Sequence, residues 1–282
     1  MADALTATAR RMTSRFFLGA NVHSVEPYGT GLINDTFLVT TSKNERFVLQ
    51  RLHPVFAETV LIDFEAVTDH LKLKHVETPR LIRERSGLRR ARDESGTMWR
   101  TITFLPGTSF EGKTTTTHVR EAGRVLGAFH NALADLEHEF AHKIPHFHDT
   151  SHIMRVLYET AYSWRNTMKH RALERLIDRT LHAWQFLAPT LPELPERVIH
   201  GDPKLSNVRF DESGAQAIGL LDLDTLGRDQ IIVDLGDALR SWCEHITGAR
   251  TLCDFPLLRA ALEGYRETAR FLTPQEICAI PA

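Results

Sequence analysis

The chain has 282 residues, with 34 lysines and arginines against 36 aspartates and glutamates and a formal charge of −2. That length buries a substantial core in one large domain or two modest ones. The near-neutral balance supplies no global field for nucleic acid or an anionic membrane surface, and no apolar run reaches membrane-spanning length, so neither is expected as a partner.

In chain order, residues 3–18 read as a helix and Val22 to Tyr28 as a strand. After the turn Gly29-Thr30-Gly31, Thr36–Thr40 and Arg46–Leu52 are two more strands, giving an antiparallel meander. Pro54 to Lys74 reads as a helix on the period of Val60, Phe64, Val67 and Leu71. Strands near 80–84 and 98–105 flank a basic loop with Arg89, Arg90 and Arg92, expected as a solvated loop tip. After Phe104-Leu105-Pro106-Gly107 the pattern turns helical, with His118–Glu137 and then 151–188. The boundary is set there, with an N-terminal lobe at 1–106 and a C-terminal lobe at 107–282. Short apolar runs at Arg197–His200, Val208–Phe210 and Ala217–Asp222 look like small strands within the helical part, and helices resume near 233–245 and 255–271. Cysteines 243, 253 and 278 form no C-x-x-C clip, and the N-terminus has no secretory signal, so a reducing, cytoplasmic setting is expected.

The stretch His200-Gly201-Asp202-Pro203-Lys204-Leu205-Ser206-Asn207, followed by Asp222, carries the main chemical signal. Phosphoryl transfer needs an acceptor hydroxyl held in line and phosphate charge neutralised by metal ions with oxygen ligands. Asp202 and Asn207, five residues apart across a loop, would enter one cleft from its two ends, and Asp222 closes the next strand beside them. An aspartate is a weak base at neutral pH, so Asp202 would chiefly orient the hydroxyl. Each residue alone would be an ordinary turn or cap residue; the ordered set between apolar strands points to function.

Gly29, Gly31 and Asn34 lie in a turn between strands, where glycine lets the backbone approach phosphates. A plain hairpin turn fits equally well on its own, and strand–loop–strand context disfavours a dinucleotide fold. Position 50, where a phosphate-binding lysine would be expected, is Gln50, which brings an amide and no charge. Glu65 on the next helix then has no lysine to pair and reads as a surface carboxylate. His130, His146, His148 and His152 lack the spacings that zinc favours and read as satisfied or capping histidines.

His200-Gly201-Asp202 with Asn207, then Asp222 and Asp234, resemble the motifs of the aminoglycoside phosphotransferases and choline kinases. Val25–Asn34, Phe47–Leu52 with its missing lysine, His146–Thr150 and Leu221–Thr225 are most similar to the N-acetylhexosamine 1-kinases within that group. The likeness runs from about residue 20 to about residue 245. It implies an α+β, two-lobed protein-kinase-like fold, with an antiparallel sheet and helix in the N-lobe and a mostly helical C-lobe. It implies ATP as phosphate donor, its adenine near Phe104 and Leu105, and Mg²⁺ held by Asn207 and Asp222. Asp202 would be the catalytic base and Asp234 the brace of its loop. Lys204 would neutralise the transferring phosphate, with an exposed loop lysine as the even alternative. Asp224 and Thr225 would face a sugar.

Relatives run on through further helices, whereas here Thr273-Pro274-Gln275-Glu276 opens a helix just before Ala282. A C-terminally truncated product is therefore expected, with the sugar pocket the part affected. The leading expectation is a sugar kinase acting on an N-acetylhexosamine at its anomeric hydroxyl. A kinase for an aminoglycoside, choline or homoserine, or a catalytically silent nucleotide-binding module, are the alternatives.

Overall fold

The computed structural model describes every residue except 1, 17–20, 30–32, 113, 166, 248–249 and 281–282. Helix α1 (Ala2–Thr13) leads into β1 (Val22–Pro27), β2 (Asp35–Thr41) and β3 (Arg46–Arg51). Alternating burial along β2 puts Phe37 and Val39 inside, where they meet Ala9, Met12 and Phe16 beneath the sheet. The meander is antiparallel, as its alternation and short turns require.

Helix α2 (Val60–Leu73) starts where its apolar period does, six residues later than the expected start at Pro54. The segment after Pro54 instead turns, with the Phe56 N–H donating to the His53 carbonyl at 3.0 Å. Strands β4 (Leu81–Ile82), β5 (Ala91–Arg92) and β6 (Met98–Thr103) complete a sheet of order β1-β2-β3-β6-β4, with β5 also on β6. The basic segment between β4 and β6 is thus tied down rather than free. Arg89 pairs with Glu65, and Arg90 and Arg92 with Glu58.

The C-lobe is built on α3 (Thr116–Leu133) and α7 (Phe255–Thr268), which cross closely. Thr115 caps α3 by accepting from the His118 N–H. At the crossing Gly264 is required, because a Cβ there would lie 1.9 Å from the Arg120 carbonyl oxygen. Helices α4 (Thr150–Ser163) and α5 (Met168–Leu187) form a peripheral pair with a largely exposed surface. The small strands β7 (Glu196–Ile199), β8 (Val208–Phe210) and β9 (Ala217–Leu220) follow, then β10 (Gly227–Gln230), α6 (Ile231–Trp242), β11 (Glu244–Thr247), β12 (Arg250–Cys253) and, after α7, α8 (Pro274–Ala279). β10 pairs with β7 and β9 with β8, so two hairpin-like ladders support the loops at 200–207 and 221–226. Strands β10, β11 and β12 were not anticipated; each has four residues, β10 taking its structure from the distant β7 while β11 and β12 pair with each other.

The chain crosses between lobes at 104–108. There the Thr108 N–H donates to the Phe210 carbonyl at 2.9 Å, and the Thr108 carbonyl accepts the return bond from the Phe210 N–H at 2.8 Å. A second seam joins Thr78, whose hydroxyl donates to the Leu220 carbonyl at 3.2 Å. No helix among the described residues is long and apolar enough to cross a membrane. Cys243 is buried, while Cys253 and Cys278 are exposed, and all three are free thiols.

Candidate active site

Asp234, on the first turn of α6, is fully buried and organises the loop after β7. Its carboxylate accepts from the backbone N–H of His200 at 2.6 Å and of Gly201 at 2.8 Å, and from His130 Nε2 at 3.0 Å. Burial alone would push this carboxyl up. The bond and charge of His130, with the backbone N–H of His200, outweigh it and hold the group below the ordinary 3.8. The other His130 nitrogen meets the buried Tyr265 hydroxyl at 3.0 Å.

His200 braces the same loop from within. Its Nδ1 accepts from the Asp202 N–H at 3.2 Å, which puts the ring proton on Nε2, 2.8 Å from the Leu221 carbonyl. That bond joins the loop of Asp202 to the loop of Asp222. Gly201 adopts φ +84°, and a Cβ there would meet the Thr225 carbonyl oxygen at 2.3 Å, so both conformation and space demand glycine. The Trp242 indole N–H donates to the Pro203 carbonyl at 2.8 Å.

Asp202 Oδ2 accepts from Lys204 Nζ at 2.6 Å and from Asn207 Nδ2 at 3.2 Å, and Asn207 also donates to the Asp202 carbonyl at 2.8 Å. Among the described residues none holds Asp202 Oδ1. Asp222 follows β9 in the left-handed region (φ 59°, ψ 58°), a conformation that aspartate tolerates better than most residues. Its side chain is exposed. Crowding by surrounding protein, then the nearby Asp224 carboxylate, raises its pKa above the ordinary 3.8. The Leu221 N–H donates to the Asn207 carbonyl at 2.8 Å, so Asn207 and Asp222 sit on adjoining, hydrogen-bonded loops. Asn207 retains its amide oxygen, and together with the Asp222 carboxylate this is an oxygen donor set suited to a hard divalent cation.

Asp224 occupies a different environment from the one expected for a sugar-facing group. It is buried to 2 % exposure and accepts from Arg100 at both oxygens, Nη1 at 2.5 Å and Nη2 at 2.8 Å, and from Asn34 Nδ2 at 2.9 Å. Arg100 and Asn34 come from the N-lobe, so this carboxylate bridges the lobes. Thr225 donates to the His200 carbonyl at 2.9 Å and lines a cleft of about 560 Å³ with Phe147 and His148. His148 in turn lies 2.6 Å from the Gly201 carbonyl oxygen. A more spacious hollow between α4 and α5, about 1190 Å³, contains none of these residues.

In the N-lobe, Gly29 has φ +78°, as its turn requires, and Gly31 lies outside the described residues. Asn34 Oδ1 accepts from the His53 N–H at 3.0 Å while its amide reaches Asp224. Gln50 faces Arg100 across the β3–β6 ladder and accepts from Arg100 Nε at 2.8 Å. Glu65 is turned away from this pair and is held by Arg83 and Arg89. At the crossing, Phe104 lies under Arg46, at 4.2 Å from its ring centroid, and edge-on to Tyr28. The Leu105 carbonyl accepts from Arg209 Nε at 3.0 Å, and Arg209 also reaches the Tyr28 hydroxyl.

Arg100, Tyr28 and Arg209 were not singled out from sequence. Arg100 did carry a signal: it is the one charged residue in the strand Met98-Trp99-Arg100-Thr101-Ile102-Thr103. An arginine inside such a strand needs a buried partner. His146, Asp149 and His152 also come together, with His146 Nδ1 3.3 Å from Asp149 Oδ2. Asp149 meanwhile caps α4 by accepting from the His152 N–H.

Known proteins share this fold. An amicoumacin kinase, solved with AMP-PNP, Ca²⁺ and its antibiotic, superposes with a TM-score of 0.69 at 14 % identity over 100 % of this chain and 84 % of its own. A microcompartment-associated aminopropanol kinase gives 0.64 at 17 % identity, covering 96 % and 82 %. The macrolide 2'-phosphotransferase of Brachybacterium faecium gives 0.62 at 14 % identity, covering 99 % and 86 %. These likenesses establish the two-lobed, protein-kinase-like fold. The profile of the phosphotransferase enzyme family (APH) matches residues 24–271. With that match over most of its length, the chain belongs to the phosphotransferase enzyme family.

Proposed function

We propose that the protein is a magnesium-dependent kinase that moves the γ-phosphate of ATP to a small-molecule hydroxyl, the acceptor being an N-acetylhexosamine at its anomeric position. The observation that carries the chemistry is the Asp202–Asn207–Asp222 constellation. Lys204 and Asn207 fix one Asp202 oxygen, which leaves Oδ1 to accept from an incoming hydroxyl and orient it. Asn207 and Asp222 are the groups that would hold the metal, whose charge neutralises the phosphates when it is bound. Lys204 adds a positive charge where the transferring group would pass, and Asp234 keeps the loop in register through its two backbone contacts. Gly29, Gly31 and Asn34 would cover the phosphates, while Phe104 and Leu105 would flank the adenine. Thr225 supports an acceptor site through the cleft it lines, and Asp224 acts on that site from behind, as the anchor of the glycine turn.

The sugar part rests on the segments Val25–Asn34, Phe47–Leu52, His146–Thr150 and Leu221–Thr225, which are similar to hexosamine 1-kinases. A coupled ADP-release assay over a panel of N-acetylhexosamines, other sugars, aminoglycosides and amino alcohols tests it. The expected result is turnover with an N-acetylhexosamine that falls by about 10²–10⁴ in Asp202→Ala. Transfer to a different alcohol would overturn the sugar assignment and keep the kinase; the aminopropanol and macrolide activities of the structural neighbours make those acceptors the first to include.

A further inference from the structure

Position 50 lacks the lysine that a phosphate cleft of this design calls for, and three carboxylates, Asp202, Asp222 and Asp224, already crowd the site. A triphosphate brings further negative charge, so the deficit of cations is a physical problem that the chain must solve. Among the described residues, Lys204 and Arg100 are the cations hydrogen-bonded to these carboxylates, and Lys204 is committed to Asp202. We infer that Arg100 is the phosphate-binding cation of the site, moved one strand over from β3 to β6.

The argument begins with register. In the antiparallel β3–β6 ladder Gln50 and Arg100 are directly paired, so their side chains leave the same face of the sheet side by side. A charge at 100 therefore enters the space that a charge at 50 would enter. Gln50 then becomes a support: its carbonyl oxygen accepts from Arg100 Nε, while its amide donates to the Thr36 hydroxyl at 3.2 Å. A lysine at 50 would place a second cation against the guanidinium. The helix contact is remade as well. Where a lysine would call on a glutamate of α2, Arg100 lies 5.0 Å above the ring of Phe64, and Glu65 serves Arg83 and Arg89.

Arg100 has capacity left for a ligand. A guanidinium carries five N–H groups. Nε uses its one on Gln50, and Nη1 and Nη2 each give one to Asp224, which leaves one on each Nη. Asp224 stands two residues from Asp222 and also holds Asn34 beyond the glycine turn, so the buried Arg100–Asp224 pair, its guanidinium 1 % exposed, links the loop of the proposed metal ligand to the residue that follows the glycine turn. Arginine suits this place better than lysine, since its planar fork engages a carboxylate and a phosphate oxygen at once.

This inference rests on the kinase reading and is tested separately from it by calorimetric titration with magnesium AMP-PNP and with adenosine. Wild-type protein should bind both, and failure to bind either would remove the kinase reading and this inference with it. Arg100→Gln/Asp224→Asn removes the buried pair as a unit and avoids stranding a charge, with the fold checked by thermal unfolding. It should bind magnesium AMP-PNP about ten- to hundred-fold more weakly and adenosine as before. Adding Gln50→Lys should return most of the lost affinity. Full AMP-PNP affinity in the double variant would mean that Arg100 merely neutralises Asp224, and no recovery with Gln50→Lys would mean that the two positions do not serve one phosphate site; either outcome overturns the inference.

Discussion

Asp234 shows how one buried carboxylate sets the loop that carries Asp202. Three donors converge on it and fix where His200 and Gly201 lie. Asp234→Asn should destabilise the protein by about 3–5 kcal/mol, as loss of a buried charge partner does, measured by chemical unfolding. The pH dependence has a definite sign. Asp234 lies below its ordinary 3.8 in the folded chain, and Glu276, buried but held by Arg197 and Thr273, lies below 4.5. A carboxyl lowered by folding contributes stability that is complete above its unfolded value and lost as pH falls through the folded one. Unfolding free energy should therefore be flat in these groups above about pH 5 and fall below pH 4, more shallowly in Asp234→Asn than in wild type. The proximity of Asp202, Asn207 and Asp222 was legible in the sequence because a short loop and the next strand dictate it, whereas Asp234, on α6, was named only through the family resemblance. The partners of Asp224 were not, since Arg100 lies 124 residues away and meets it only through sheet register and lobe packing.

At the scale of elements, the site hangs on short strands stabilised by neighbours. β7, which delivers His200, is pinned on one side by β10 and on the other by α8, whose Glu276 takes two bonds from Arg197. The capping box of α8, with Thr273 and Glu276 bonded reciprocally, was readable from residue order alone; the use of the same glutamate as a partner of β7 was not. Thr273→Ala should cost about 1 kcal/mol by loss of the cap, whereas Glu276→Ala also strands Arg197 and should cost more; thermal unfolding of the two variants compares them directly. The long helices and the meander were visible through their periodicity. The start of α2 and strands β10, β11 and β12 were not, because a proline turn, the distant β7–β10 pairing and the short β11–β12 ladder override the pattern read there. Gly264→Ala tests the α3–α7 crossing: the added methyl meets backbone rather than a mobile side chain, so a loss of about 1–3 kcal/mol is expected in unfolding experiments.

Across the whole molecule, the lobes are joined by the 104–108 crossing, the Thr78 seam and the contacts of Asp224. The Asn34–Asp224 bond ties the glycine turn to the C-lobe, so Asn34→Ala should speed amide exchange in β1 and β2 while leaving α3 and α7 protected. Mass-spectrometric hydrogen exchange reads both regions in one experiment. The three thiols offer a chemical clock on the same molecule. Cys243 follows Trp242, whose indole holds the Pro203 carbonyl beside Asp202, and burial pushes its thiol up to about 12. Cys253 and Cys278 lie at the surface. A maleimide should consume two thiols quickly and the third only when the end of α6 opens. The rate of that third modification is then a covalent readout of how often the loop of Asp202 lets go of its tryptophan, obtained without substrate or turnover.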